Sequence, residues 1–468
     1  MMGIDTFIEK LQKVSLSGES KIWTDPSKAD FQESLARWTD VDKKEPGAVI
    51  LPATENDIVE IVRLAVETSV PFVAKAGGHS SWSTIGASGF ILDLSQVRSV
   101  EVDTEKQTAT ASAGALVGDV VKAVNEKGYC AVTGTVNSVG FIPSTIGGGI
   151  TLLAPLVGFG SDNIVSARIV TAKGDLITVS ENENAELLYA IKGAGQFFGV
   201  VTSLTVKIHP LSIFGTHDGT VWSGTLIFDV SKAAEVAKAV IHIKQNTTRS
   251  YCLAGVMPAP PTLDPIIMAA IIHLGSKEDA EKAFKPLFDV GPIAVPANNE
   301  VSFGTVNETF QAFEIKGGLK KWLAVGLTSI EQFHPEDMTR LVEQRAKLTE
   351  KYPASKPSGF VIEFTSDGPW DRVSSENETA WSHRDIAAWC QLLCWSSDEE
   401  SLNYAYGIAE DFKEHIRQRQ QEVEYSIYGN FSRSAPVQER FKGDGRLEKL
   451  RSLKLRWDPE EVFTNEFL

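Results

Sequence analysis

The sequence predicts an α+β protein of two domains, and three observations carry that expectation. At 468 residues the chain is longer than one simple hydrophobic core serves. Over the first 130 residues, strand-like and helical segments alternate, but without a strict βαβ rhythm. From about residue 211 the pattern changes to longer strands separated by amphipathic helices, which predicts an antiparallel sheet flanked by helices on one face.

The elements follow in order. Residues 49–69, VILPATENDIVEIVRLAVETS, read as a strand and then a helix: Thr54 and Asp57 have capping-box spacing, and Ile58, Ile61, Val62 and Ala65 form one apolar stripe. PFVAKA, FILDLS and VRSVEVDTEKQTATASAGA are short strands, the last with alternation. LVGDVVKAVNEKG is a helix closed by Gly128. Residues 134–163, GTVNSVGFIPSTIGGGITLLAPLVGFGSDN, break the pattern with many Gly, Ser and Thr, yet their interleaved Val, Ile, Leu and Phe argue against disorder. IVSARIVTAKGDLITVS predicts a hairpin turning at Lys173-Gly174-Asp175, and KGAGQFFGVVTSLTVKIHP a glycine turn entering a strand. Beyond residue 211, TVWSGTLIFDV, PIIMAAIIHLG and LKKWLAVGLTSI read as strands, and SKEDAEKAFKPLFDV and PEDMTRLVEQRAKLTEKY as helices. The closing RLEKLRSLKLRWDPEEVFTNEFL reads as a helix and a tail.

Composition narrows the function. Lys+Arg 45 against Asp+Glu 61 leaves a net charge of −16, a field that repels phosphate backbones and excludes nucleic acid as a partner unless a basic patch overrides it. The densest basic segment, RLEKLRSLKLRW, has the spacing of a solvated helix face. The N-terminus lacks the charged-apolar-small order of a secretory signal, and no apolar run approaches the roughly 18 residues of a membrane span. An intracellular, cytoplasmic protein without a membrane partner is the expectation. Cys130, Cys252, Cys390 and Cys394 are too few and scattered for a disulfide framework. Cys390 and Cys394 show helical i, i+4 spacing in AAWCQLLCW but lack companion ligands, so no metal site is expected and both read as small core residues. Asn246, Asn307, Asn377 and Asn430 head Asn-x-Ser/Thr triplets, which carry little weight without a secretory route.

The chemistry is concentrated in glycine. PFVAKAGGHSSWS, residues 71–83, places His79 in a loop of residues with almost no side chain. Glycine turns near residues 77, 148 and 195 offer backbone N–H groups to an anion, and pyrophosphate is the natural one for an acidic protein. The Rossmann fingerprint is not met by GAGQFFG, and no Walker, GxSxG or HExxH sequence is present. His383, in AWSHRD, reads as a structural hydrogen-bonding residue.

With GGHS at 77–80, ILDLSQVRSVEVD at 91–103, GGG with GSDNIVSARIVTAKG ending at Gly174, LLYAIKGAGQFFGVVTSLTVKIHP, and the tail YGNF…LRWDPEEVF, the chain resembles the berberine-bridge-enzyme-like flavin oxidoreductases of the vanillyl-alcohol-oxidase superfamily. The resemblance runs over most of the chain. It implies a PCMH-type FAD-binding domain of two subdomains and a covalent bond from His79 to the 8α carbon of FAD. It also implies flavin contacts from Lys75, Gly77, Gly78, Ser80, Ser81, Thr135, Ser138, Val139, Gly140, Gly147, Gly148, Asn163, Gly195, Val200 and Asn430. The domains expected are an N-terminal helical segment at 1–40, the FAD-binding domain at 41–210, a substrate domain at 211–425, and a segment at 426–468 that returns to the FAD domain.

Two departures refine the expectation. Many relatives bond the flavin a second time through a cysteine ahead of the GGG; here that position is Val136, so the chain is similar to singly linked members such as 6-hydroxynicotine oxidases. A single link implies a less open cleft and a small substrate, the product of secondary metabolism being the expected class. The position that governs oxygen access in the family is Val139, the permissive residue, which implies an oxidase releasing hydrogen peroxide from dioxygen.

Hydride transfer from a substrate C–H to flavin N5 needs a base, and the resemblance points to Tyr428 in the Y-x-N-F stretch. Glu363, alternating with Val361 in GFVIEFTSDG, is a second candidate whose placement rests on strand parity. Trp322, Trp370 and Trp381 are candidates for an aromatic pocket. A redox-neutral cyclase that retains FAD, an oligosaccharide or alcohol oxidase, and a non-enzymatic binding protein on an oxidase scaffold are the alternatives.

Overall fold

The computed structural model describes residues 3–370, 379–420, 424–432 and 435–463. Asn377 and the end of the tail past residue 463 lie outside them.

Three sheets organise the chain. The first joins β1 (Lys21–Trp23), β2 (Ala48–Leu51), β3 (Phe72–Lys75) and β4 (Phe90–Asp93) in the order β1-β2-β4-β3. β4 pairs in parallel with both β2 and β3, whereas β1 is antiparallel to β2. β2 and β4 are buried along their whole length, as the continuous apolar runs AVIL and FILD require. The helix Glu55–Thr68 covers this sheet with Ile58, Ile61 and Val62, and the helix Ile4–Leu11 joins the same core with Phe7 and Leu11. The capping box forms as expected: Asp57 N–H donates to Thr54 Oγ1 at 3.2 Å, and Thr54 N–H donates to the Asp57 carboxylate at 2.9 Å.

The second sheet is antiparallel: β5 (Val100–Asp103), β6 (Thr108–Ser112), β7 (Tyr129–Ala131), β8 (Ile164–Val170), β9 (Leu176–Ser180) and β10 (Val200–Pro210). β8 and β9 form the expected hairpin, with Gly174 at φ +77° in its turn. Its core takes in Val120 and Val124 of the helix Val117–Asn125, and Leu450 and Leu453 of the C-terminal helix Arg446–Trp457.

The third sheet has seven antiparallel strands, β11 (Thr220–Phe228), β12 (Ser250–Ala259), β13 (Asp264–His273), β14 (Ala294–Ser302), β15 (Leu319–Leu327), β16 (Gly359–Thr365) and β17 (Ala388–Ser396), in the order β14-β11-β13-β12-β16-β17-β15. One face packs against the helices Ala233–Asn246, Lys277–Val290, Pro335–Lys351 and Glu399–Arg417, as the α+β expectation requires. The other face packs in part against Leu152, Leu153, Phe303 and Phe310, through Tyr251, Leu253, Ala270 and Ile272, and in part lines a cavity.

Two local expectations are corrected. AAWCQLLCW is strand β17, and Cys390 and Cys394 share a face because four residues is also two strand periods. Both are buried free thiols in the helix-covered core. The basic C-terminal helix is only partly solvated. Lys454 is buried, donating to the Phe197 carbonyl at 2.7 Å and to Asp458 at 2.6 Å, and Arg446 donates to the Thr379 carbonyl at 2.6 Å.

Candidate active site

A cavity of about 670 Å³ lies between that face of the seven-stranded sheet, the loop after β3, the 134–151 segment and the return segment at 428–432. Each wall has a local reason to be there.

β3 ends at Lys75, whose ammonium pairs with Asp93 at 2.7 Å in the last register step beside β4. The chain then turns through Gly77 and Gly78 into His79. A Cβ on Gly77 would stand 2.4 Å from the Ser138 carbonyl and 2.6 Å from the Gly140 nitrogen, so only glycine lets the two loops touch backbone to backbone. That contact brings Ser138 to His79, and their side chains hydrogen-bond at 2.9 Å through Nε2. Arg37, buried, ties the same loop down by donating to the carbonyls of Ser81 (3.0 Å) and Val41. Burial, helped by the charges of Lys316 and Lys320, pushes the His79 imidazole down to about 4, so it is neutral at physiological pH.

The three consecutive glycines serve protein packing. A Cβ on Gly147 would collide with the Asn430 amide at 2.4 Å, and one on Gly148, at φ +119°, with the Trp381 ring at 2.2 Å. Gly149 sits at φ +73° against Gly160, and only it of the three lines the cavity. This turn presents the N–H groups of Gly149 and Ile150 to the Tyr428 hydroxyl, to which the Asn430 amide also donates at 2.8 Å. Tyr428 is buried, with Trp381 and Phe431 edge-on to its ring. Burial raises its hydroxyl to about 12, although the three donors act to lower it.

On the sheet wall, strand pairing sets Leu253, Glu363 and Trp389 side by side. Glu363 faces the cavity, as its alternation with Val361 suggested. Oε1 accepts from the Tyr251 hydroxyl at 2.7 Å and Oε2 from the Gln391 side-chain amide. Burial raises its carboxyl, and these two donors oppose the shift. Trp322 lines the cavity and stacks on Phe431 at 4.4 Å. Trp381 is buried beneath it, and Trp370 packs beside Gly158. His383 reaches the cavity wall with its ring edge-on to Trp381 and Trp389, and burial holds it at about 3.

A second cavity of about 380 Å³ shares Lys75, Ala76 and Gly77 with the first and is lined by Ser138, Lys21, Arg98 and Lys316 among others. The β3 loop thus separates an aromatic chamber from a smaller one lined by charges of both signs, Lys21, Lys75, Arg98 and Lys316 with Asp30, Glu33 and Asp93.

The structure gathers most of the expected site residues. Lys75, Gly77, Gly78, His79, Ser80, Ser81, Thr135, Val139, Gly140, Glu363, Tyr428 and Asn430 line the large cavity, and Ser138 the smaller one. Gly147, Gly148, Gly195, Asn163 and Val200 line neither. The first two pack as described, and Gly195 packs against Ile146. Asn163 spends its amide on the Val157 and Phe159 carbonyls (3.0 and 2.9 Å) and its oxygen on His209, while Val200 sits in the first-sheet core. Tyr251, Gln391, Trp389 and the Gly149 and Ile150 amides escaped the sequence reading, because each acquires meaning only through a cross-strand or cross-domain neighbour. Among the described residues no helix is long and apolar enough to cross a membrane, and no group of three or more His, Cys, Asp or Glu is placed to hold a metal.

Residues 46–180 match the family described as FAD binding domain. The FAD-linked oxidoreductase hasG of Aspergillus fumigatus is 30% identical, over 95% of this chain and 95% of its own. Among solved structures, wild-type BBE-like 1 of Physcomitrella patens superposes with a TM-score of 0.81 at 18% identity, covering 98% of both chains. The 6-hydroxy-D-nicotine oxidase of Arthrobacter nicotinovorans does so with a TM-score of 0.77 at 22% identity, covering 97% of this chain and 98% of that one. At such identities the likeness is one of fold.

Proposed function

The chain belongs to the FAD-linked oxidoreductases, and from that premise we propose that it is an oxidase of a small organic molecule, with FAD bonded once to His79 and Tyr428 as the base. FAD in this site would accept a hydride from a substrate C–H and deliver two electrons to dioxygen, yielding hydrogen peroxide.

The residues present fit that group. An aromatic chamber joined at Lys75–Gly77 to a smaller polar one suits a molecule with a flat ring at one end and phosphates and a nucleoside at the other. Ala76–Ser81, Thr135 and Ser138–Gly140 are the residues that would hold it. A bond from histidine to an electrophilic carbon needs a neutral imidazole, which the depressed His79 supplies. With Nε2 taken by Ser138, Nδ1 is the ring nitrogen left for that bond. Val136 lines the cavity where a second, thiol link would need a cysteine.

The observation that carries the reading is the Tyr428 hydroxyl, which lies on the His79 cavity and accepts from the Asn430 amide at 2.8 Å, with the Gly149 and Ile150 backbone also favouring its anion. A buried phenol is a poor base by itself. Donors aimed at its oxygen stabilise the phenolate without reorganising, so the phenolate can take a proton from a substrate O–H or N–H, becoming the hydroxyl, as hydride leaves the neighbouring carbon. Glu363 orients the substrate from the opposite wall. Val139, also on the cavity, leaves room for oxygen.

The test is a visible spectrum of the purified protein, acid precipitation, and mass spectrometry of the peptide containing His79. The reading expects yellow colour in the pellet, one FAD on that peptide, and peroxide release in a substrate screen. Flavin in the supernatant overturns the covalent link. A colourless protein that takes up no FAD overturns the whole reading.

A further inference from the structure

The charges around the large cavity are unevenly committed. Three lysines line it, and each ammonium is engaged elsewhere. Lys75 pairs with Asp93, and Lys321 donates to Asn403 at 3.1 Å over the Tyr406 ring. Lys320 donates to the Trp38 carbonyl at 3.1 Å between the rings of Trp38 and Trp395. Of the two carboxylates, Asp42 is exposed. Glu363 alone is held on the inner wall, and its two oxygens accept only from neutral donors, the Tyr251 hydroxyl and the Gln391 amide. Among the described residues no cation stands in ion-pair contact with it. A carboxylate with lone pairs to spare, on a wall of aromatic rings, is built for a positive charge that the protein itself does not supply.

We propose that Glu363 anchors a protonated nitrogen, so that the substrates of this cavity are aromatic amines bound as ammonium ions. This rests on the oxidase reading for the chemistry that follows, but the recognition stands on the wall itself. Tyr251 and Gln391 hold the carboxylate plane fixed, one donor to each oxygen. An N–H of the ligand takes the remaining lone pairs, and the rings of Trp389 and Tyr251 add cation–π attraction beside it. The charged nitrogen marks where the substrate is gripped. The carbon that is oxidised lies towards Tyr428, which interacts electrostatically with Glu363.

The experiment uses three probes of one shape, benzylammonium, benzyl alcohol and benzoate, titrated calorimetrically into the purified protein at pH 7. The wild type is expected to bind benzylammonium at least ~10-fold more tightly than benzyl alcohol, the scale of one charge-assisted hydrogen bond, and benzoate most weakly. Glu363→Gln is expected to bring benzylammonium and benzyl alcohol within about threefold of each other while binding the alcohol as before. Glu363→Leu also removes the charge and is expected to abolish the preference, so it serves if Glu363→Gln does not fold. Equal binding of the ammonium and the alcohol by wild type, tighter binding of benzoate, or a preference that survives Glu363→Gln overturns the proposal. Binding is read without turnover. A protein that loses its flavin to acid therefore fails the covalent reading with the charge preference still measurable, and a yellow, peroxide-releasing protein can still fail this one.

Discussion

The Asn430 amide donates to the Tyr428 hydroxyl at 2.8 Å, and the chain carrying both rests on Gly147, where any side chain would strike that amide. The spacing Tyr-x-Asn and the GGG are thus one device: the glycines admit Asn430 and turn two backbone amides towards the same oxygen.

Tyr428→Phe removes the proposed proton acceptor and leaves the ring packing in place. The rate of flavin reduction by substrate should fall by roughly 100- to 10,000-fold with His79-linked flavin retained, as anaerobic stopped-flow measurement checks. An unchanged reduction rate would move the base elsewhere.

With Tyr428 as the proposed base and burial lifting its hydroxyl to about 12, kcat/KM should rise with pH across the alkaline range. Asn430→Ala removes a donor that lowers that value, so its profile should shift further towards high pH. A flat profile in both proteins argues against a phenolate.

Protonation should unfold the protein from within. His383 titrates in the folded chain at about 3, against 6.5 when free, so below pH 6.5 the unfolded chain binds a proton that the folded chain refuses. Its contribution is then complete above 6.5 and falls as pH drops towards 3, by roughly 1.4 kcal/mol per unit. Denaturant midpoints measured from pH 7 to 4 should show this slope, and His383→Phe should flatten it.

Gly148→Ala tests what the GGG is for. Its Cβ would meet the Trp381 ring at 2.2 Å from a backbone at φ +119°, so the variant should lose about 2–4 kcal/mol by chemical denaturation. Gly134→Ala, with nothing within 4 Å, should stay within about 0.5 kcal/mol of wild type. Equal losses would deny the packing role.

Val139 lines the cavity beside the loop that carries His79. Val139→Ile should slow reoxidation by dioxygen and leave anaerobic reduction unaltered, and two-phase stopped-flow traces separate the steps.

What the sequence determined by itself was local. The Thr54–Asp57 capping box, the Gly174 hairpin, the change of style at residue 211 and the α+β class were legible because caps, turns and periodicity depend on residues a few positions apart. The GGHS loop stood out because a histidine among glycines and serines has no core to join, and it lines the large cavity. AAWCQLLCW misled, since a spacing of four fits one helical turn and two strand periods alike, and only its neighbours β15 and β16 decide. Asn163, Gly195 and Val200 line neither cavity, and their contacts too are with partners distant in sequence. Tertiary structure alone set Tyr251 and Gln391 on Glu363, 112 and 28 residues away, and turned the Gly149 and Ile150 amides onto Tyr428. A hydrogen bond is satisfied by whatever the fold brings within about 3 Å, and strand register, which no single strand contains, chooses the partner.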